Sequence, residues 1–441
     1  PGSSVYGSNA LLGVINVITR EPARVTGGRL IAEAGDAGSR RSVAQADTKL
    51  NDGLASLLLS ASYTNRDGND LYVPAFDDPA TSNGIARNLD GDRRQRFMAT
   101  LRAGAWRLQL AHSDRRKQVP LPIYGADFND PRNRFRDTQG FINLSYEAEA
   151  GDDWSLQARL FNSHYRFGGD LAYSGVLNLD RATARRWGME ARSLFRGWPH
   201  HRLITGIELI DDYKLKQLNY DEAPYALYLD DRRTAQQHGL FLQDEWALRE
   251  NLKLTSGLRY DEKNGDGVSS PRMALVYQPA PGHSLKLLYG HAFRAPSTYE
   301  QFYAASGYSP NPVLTPERTT NWDLLWEAHP VPSLRLQLGL QHFIIDNFII
   351  EGNEPGGNIQ YINSARVKSS GIDLDIEKHW AAGLQGRVSL SLQRTQDALS
   401  GGELVDSPDV LYKLYLSSPL PRSTARLALE VQGLNQRRSR L

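Results

Sequence analysis

The feature that most constrains this chain is a period-two alternation of apolar and polar residues, sustained over runs of about ten residues. In Ser333–Ile344, Leu334, Leu336, Leu338, Leu340 and His342 fall on one side, and Arg335, Gln337, Gly339 and Gln341 on the other. Successive side chains of a strand point to opposite faces, so the run reads as a strand with one greasy face and one wet face. Leu252–Asp261 repeats the pattern with Leu252, Leu254, Leu258 and Tyr260, and Ser284–Phe293 with Leu285, Leu287 and Tyr289. Arg387–Gln393 and Arg426–Gly433 follow the same rule. Helical i, i+3, i+4 spacing occurs nowhere at length. In order along the chain, about nineteen strands are predicted.

The connections between these runs alternate in length. Short ones such as Asn51-Asp52-Gly53, Gly104-Ala105, Gly151-Asp152-Asp153, Trp198-Pro199-His200 and Pro330-Val331-Pro332 carry the Gly, Pro, Asn and Asp of tight turns. Long ones are expected at 65–92, 117–133, 168–181, 214–232, 263–270, 294–317, 351–357 and 397–407. One end of the fold is trimmed and the other elaborate, which is the asymmetry of an outer-membrane barrel. In lipid every backbone group must be paired within the protein, so such strands must close into a barrel. A soluble propeller would need a blade repeat of roughly 40 to 50 residues, and no such self-similarity is visible.

Composition is compatible with this reading. The mean hydropathy is -0.49, yet a transmembrane strand needs only about ten residues and hides half of them as polar lumen positions. The longest apolar stretch, Ala10–Ile18, is interrupted by Gly13 and Asn16, and a spanning helix needs roughly twenty apolar residues. With 51 Lys plus Arg against 50 Asp plus Glu, the net charge of +1 argues against a nucleic-acid partner. The absence of Cys removes disulfides, thiolate metal sites and a Cys nucleophile.

Pro1 to Arg20 breaks the strand pattern: a Gly-rich loop, a short helix of small residues, then a β-branched strand are expected. Within it Tyr6, Gly7, Ala10, Gly13, Ile15, Asn16 and Thr19 stand at the spacing Tyr-Gly-x-x-Ala-x-x-Gly-x-Ile-Asn-x-x-Thr. Ahead of a long barrel, this segment resembles the closing stretch of the plug domain of TonB-dependent outer-membrane receptors. The 294–317 connection carries a second resemblance. Phe293, Arg294, Ala295 and Pro296, then Tyr299-Glu300, then Asn311, Pro312, Leu314, Pro316 and Glu317 are similar to the FRAP and NPxL-x-PE boxes of that family's seventh extracellular loop. A softer match is Ile362-Asn363-Ser364-Ala365 through Gly371-Ile372-Asp373.

The resemblance implies an all-β transmembrane antiparallel barrel. About nineteen of the family's 22 strands are expected within the chain, with 1–24 as the end of the plug and 25–441 as a barrel incomplete at its C-terminus. It further implies a bacterial outer-membrane transporter, not an enzyme, driven by the inner-membrane TonB complex, whose contact segment is expected to lie outside this chain. A ferric siderophore is the first expectation for its ligand. Cobalamin, haem or another bulky nutrient comes second, and a passive porin or adhesin is the competing class. Outer-membrane lipid is a partner, and no cofactor is called for.

Candidate ligand contacts are the mid-loop aromatics Tyr220, Tyr225, Tyr228, Tyr299, Phe302, Tyr303 and Tyr308, because a tyrosine offers a broad apolar face and a polar tip at small entropic cost. Haem receptors of the family typically carry a His between the two boxes, and none occurs between Pro296 and Asn311. The acidic group Asp67, Asp70, Asp77, Asp78, Asp90 and Asp92 lacks EF-hand spacing and reads as a solvated loop. The adjacent His200 and His201 fall in a predicted periplasmic turn, and Arg259, Lys286, Arg335 and Arg387 are predicted to face the lumen. No catalytic constellation and no metal site are predicted.

Overall fold

The computed structural model describes residues 7–8, 13–22, 26–305, 307–421 and 423–437, without the side chains of residues 51, 364 and 365. One sheet of 20 strands spans Gly27–Ala34 to Arg426–Leu434. Nineteen of these are long and antiparallel to their sequence neighbours, as the alternation predicts; the other is the two-residue strand Tyr308–Ser309, parallel to Ile359–His379. Gly27–Ala34 and Arg426–Leu434 are its edges, and no ladder joins them among the described residues.

Register converts the alternation into two chemically different faces. Leu108, Leu144, Leu160, Met189 and Leu209 are successive partners across five strands. Leu324, Leu340, Ile372, Leu392 and Val410 form a similar row on the far side. These rows make the apolar band that faces lipid. The opposite face is identified by what touches it. Thr19 Oγ1 accepts hydrogen bonds from Arg107 at 3.1 Å and Gln109 at 3.3 Å, Glu21 pairs with Arg107 at 2.9 Å, and Arg20 pairs with Asp47. The N-terminal segment therefore lies in the lumen. Arg259, Lys286, Arg335 and Arg387 each face a carboxylate: Arg259 meets Asp261 and Glu208, Lys286 and Arg335 share Glu327, and Arg387 meets Asp375.

Two expectations are corrected. Residues 13–22 have no regular structure, although a β-branched strand is predicted there. A strand needs a ladder partner, and this segment is held by side chains of the wall instead, leaving Ile15 93% exposed. The helix expected just before it, and motif residues Tyr6 and Ala10, lie outside the described residues.

The second correction concerns the predicted long connections 168–181, 214–232 and 263–270, which are mostly ladder. Trp154–Tyr173 and Val176–Phe195, 20 residues each, meet at Ser174-Gly175, and His201–Asp221 and Ala226–Arg249 run 21 and 24 residues. Asn264-Gly265 closes another hairpin with φ of 52° and 96°, the left-handed pair for which Asn-Gly is suited. Spanning the bilayer takes about ten residues, so roughly half of each long strand stands beyond it. There both faces meet water and the alternation fades, which is why composition reads as loop.

Candidate functional site: a tyrosine cavity at the loop end

The projecting strands form a tall wall whose lumen face bends around a cavity of about 750 Å³. Alternate residues of one strand supply Tyr165, Phe167, Leu171 and Tyr173. Its neighbours supply Asn178 and Asp180, then Gln217, Asn219 and Asp221. Register places Asp180 opposite both Gly169 and Asn219, and Asn178 opposite both Leu171 and Asp221, so these polar groups converge on one face.

The connection after the strand His283–Arg294 folds over this wall. It starts a short helix, Thr298–Phe302, with a capping box: Ser297 Oγ accepts from the Glu300 N–H at 3.2 Å, and Glu300 Oε2 accepts from the Ser297 N–H at 2.7 Å. Gln217 Nε2 donates to the Thr298 carbonyl at 3.1 Å, pinning the helix to the wall. Tyr299, Tyr303 and Tyr308 then cap the cavity. Tyr299 and Tyr303 have ring centroids 4.4 Å apart, and Tyr308 stacks on Tyr361 at 6.0 Å.

The tyrosine hydroxyls meet a polar network. Tyr303 Oη donates to Asp180 at 2.7 Å and accepts from Asn219 Nδ2 at 3.1 Å. Asn178 and Asn219 exchange side-chain bonds of 2.9 and 3.1 Å, and Asn178 also donates to Asp221, which accepts from Tyr228 Oη at 2.6 Å. Burial raises the Asp180 carboxyl above its ordinary range, with Tyr303 and Asn219 pulling the other way. Burial also raises the Tyr299 and Tyr303 hydroxyls, Tyr303 further through the facing Asp180 charge. Arg181 is the one basic residue among those lining the cavity, and its guanidinium is engaged by Asp170 at 2.6 Å and by the carbonyls of Gly169 and Asp180. The cavity is thus aromatic, hydrogen-bonding and without a free cation among its described lining.

The motif residues serve a different purpose. Arg294 is gripped by Glu317 at 2.6 and 2.9 Å and by Glu300 at 3.0 Å twice; Glu317, 1% exposed, also accepts from the Ile349 N–H at 2.8 Å. Asn311 Nδ2 donates to the Tyr361 carbonyl at 2.8 Å. Asn363 accepts from the Thr315 N–H at 2.8 Å and donates to the carbonyls of Thr315 and Asn347. These contacts fasten the connection to its neighbouring strands. The Ala295 N–H donates to Ser8 Oγ at 3.2 Å, so the root of the same connection touches the lumen segment. Gly7 packs against the Arg259–Asp261 pair so closely that a Cβ there would meet the Arg259 guanidinium at 2.6 Å.

Of the aromatics singled out in the sequence, the structure gathers Tyr228, Tyr299, Tyr303 and Tyr308 and leaves three aside. Phe302 lies under the Arg233 guanidinium, 3.4 Å from its ring centroid. Tyr220 and Tyr225 pair at 5.7 Å near the hairpin tip, with Tyr225 68% exposed. The missed members Tyr165 and Phe167 stand two apart at the end of a predicted strand, and Tyr173, on the same parity, lies in the predicted 168–181 connection. The acidic group is dispersed: Asp92 holds Arg94 and Arg115, Asp90 holds Lys117, Asp77 accepts from Tyr72 and Asp78 caps a turn. His201 pairs with Asp244 at 2.8 Å and stacks on Trp246. Among the described residues no group of three His, Cys, Asp or Glu could hold a metal.

A family model for the TonB dependent receptor-like β-barrel matches residues 63–434. The chain belongs to this family. TonB-dependent receptors are transporters of the bacterial outer membrane rather than enzymes, and they bind siderophores and interact with TonB. A protein similar in sequence is the iron-regulated outer membrane virulence protein of Vibrio cholerae serotype O1, 24% identical over 341 residues, covering 74% of this chain and 48% of that one. The chain thus spans about half the length of the curated relatives it matches. In fold, this receptor barrel is similar to the ferric yersiniabactin uptake receptor FyuA from Yersinia pestis, with a TM-score of 0.77, 14% identity, and 97% and 72% of the two chains covered. The pyoverdine receptor FpvA from Pseudomonas aeruginosa PAO1, bound to pyoverdine, gives 0.73, 14%, 94% and 69%.

Proposed function

We propose that this chain is the barrel part of an outer-membrane transporter that takes up a ferric siderophore using energy delivered through TonB. The observation that carries the reading is the tyrosine cavity, open at the loop end and lying above a lumen that holds an inner segment. Its size and lining suit a bulky chelate whose organic shell presents apolar faces and hydrogen-bonding edges. Without a free cation, the lining favours an uncharged or cationic chelate over a polyanionic one. Residues 1–24 are read as the closing stretch of a plug and 25–441 as barrel, a division supported by the contacts of Gly7, Ser8, Thr19 and Glu21 with the wall. Ligand seated against Tyr299 and Tyr303 bears on the connection whose root meets Ser8, a short path from capture to the inner segment.

The test is ligand-dependent tryptophan quenching of the full-length protein with neutral ferric hydroxamates, anionic ferric catecholates, haem and cobalamin. Saturable binding of a ferric chelate at micromolar concentration or below supports the reading. No response to any ferric chelate overturns it, and selective binding of haem or cobalamin replaces the substrate.

A further inference from the structure

We infer that the chelate captured by the tyrosine cavity carries a protonated amine, and that Asp180 and Asp221 receive it. This rests on the reading of the cavity as the capture site and narrows the ligand to one chemical class. The lining is rich in acceptors and poor in free donors. Seven tyrosines line the cavity, and four of them donate their hydroxyl proton to a carboxylate of the protein. Tyr165 donates to Asp137 at 2.7 Å, Tyr228 to Asp221 at 2.6 Å, Tyr303 to Asp180 at 2.7 Å and Tyr308 to Glu351 at 3.3 Å. A phenol has one hydrogen to donate, so these four have none left for an anionic ligand.

The amide donors are engaged as well. Asn178 uses both of its amide hydrogens, on Asn219 and on Asp221 at 2.9 Å each, and Asn219 uses both of its own, on Asn178 and on Tyr303 at 3.1 Å each. Gln217 gives one to the Thr298 carbonyl, and the Arg181 guanidinium is held by Asp170 and two backbone carbonyls. What the wall still offers is acceptor capacity. A carboxylate has about four lone-pair sites. Asp221 receives two hydrogen bonds, Asp180 is faced by Tyr303 and Asn219, and neither carboxylate makes an ion pair among the described residues. Asp180 stands opposite Asn219, and Asn178 opposite Asp221, so the two acids reach the cavity from adjacent strands on one face.

The aromatic cap suits the same group. The Tyr299 ring centroid lies 4.4 Å from that of Tyr303, 6.2 Å from Tyr308 and 6.1 Å from Tyr361. The faces of such rings attract cations, and a hydroxyl that donates to a carboxylate makes its ring richer in electrons. The short helix that carries Tyr299 already takes one cation in this way: the Arg233 guanidinium lies 3.4 Å from the Phe302 ring centroid. An ammonium brings three donors, a positive charge and no acceptor, which is the complement of this lining. A catecholate or carboxylate chelate would bring acceptors and negative charge to a wall that is already acidic, and a neutral one would cover the two carboxylates without pairing them.

The test is tryptophan quenching of the full-length protein with two ferric trihydroxamates of similar shape: ferrioxamine B, which has a free pendant ammonium, and the same chelate with that amine acetylated. The ammonium form is expected to bind at least about tenfold more tightly, with the advantage shrinking as salt is raised. In Asp221→Asn, which keeps the shape and removes one charge, the advantage is expected to fall by about threefold or more, and in D180N/D221N to disappear. Boiling-dependent gel migration is the folding control, and because Asp180 also anchors Tyr303, Asp221→Asn alone decides if the double variant does not fold. Equal binding of the two forms, or an advantage unchanged in the folded variants, overturns the inference and leaves the siderophore reading in place. Binding of neither form while an anionic ferric catecholate saturates does the same. If no ferric chelate binds at all, the siderophore reading and the inference fall together.

Discussion

The connection between Arg294 and Glu317 holds two constructions side by side, and they are built on opposite terms. At its ends, Arg294, Glu300 and Glu317 form an ionic knot in which every charged group has a fixed partner, and Asn311 and Asn363 tie the middle to neighbouring strands. Over the cavity, Tyr303 and Tyr308 are anchored through their hydroxyls, Tyr299 packs against the rings of Tyr303, Tyr308 and Tyr361, and all three line the open volume. The knot has spent its bonding capacity within the protein, whereas the cavity has unspent aromatic surface. The residues that most resemble a family signature are therefore the fasteners, and the binding surface is made by less distinctive tyrosines held in place by them.

This contrast predicts a graded set of outcomes. The largest effect is expected from Glu317→Ala, which strips a buried carboxylate from Arg294 and leaves the Ile349 N–H without its acceptor. Breaking a buried pair in this way costs about 3 to 5 kcal/mol, seen as faster hydrogen exchange throughout 295–316 and loss of ligand quenching. If exchange in that stretch is unchanged, the knot is not what holds it.

Tyr303→Phe keeps the ring and removes only the hydroxyl that joins Asp180 and Asn219. A local destabilisation of about 1 to 3 kcal/mol is expected, measured by chemical unfolding, with ligand affinity weakened through disorder of the ring and not through loss of its face.

The Asp180 carboxyl gives a pH signature. Burial raises its folded value above the unfolded one, so the folded wall holds that proton more tightly, and the contribution is full below the unfolded value of about 4. It is lost as pH rises through the folded value. The unfolding midpoint of the parent protein relative to Asp180→Asn is expected to fall over that window, and a difference that stays flat or rises would show that Asp180 is not buried as described.

The smallest effects belong to the aromatics outside the cavity. Phe302→Leu removes the Arg233 stacking, worth about 0.5 to 1 kcal/mol. Tyr225→Ala, at the exposed hairpin tip, is expected to leave both stability and ligand affinity within about 0.5 kcal/mol of the parent.

The sequence is most legible where physics imposes two different solvents. Between lipid and lumen, Leu334 to Leu340 can alternate in only one way, and the strand count and the short turns follow from that. Above the bilayer both faces are wet, so Gly168 to Tyr173 and Lys214 to Arg232 look like loop while pairing as strand. The β-branched run at Val14 to Ile18 misleads in the other sense, because composition favours extended backbone but among the described residues no strand pairs with it. Mid-loop position selects Tyr228, Tyr299, Tyr303 and Tyr308, which line the cavity. It could not separate them from Tyr220, Tyr225 and Phe302, whose direction depends on strand parity and on Arg233. Asp180, Asn178 and Asn219 carry no sequence signal, since only the register of three strands brings them to Tyr303.

The most direct test of the account is a quenching titration of the full-length protein with the tightest-binding ferric chelate, comparing the parent with Tyr299→Ala. Tyr299 makes no side-chain hydrogen bond among the described residues and contributes ring faces to the cavity. Binding at least about tenfold weaker is expected, with the unfolding midpoint lowered far less than in Glu317→Ala. Unchanged affinity in a folded Tyr299→Ala protein would contradict it, placing the ligand somewhere other than the tyrosine cavity.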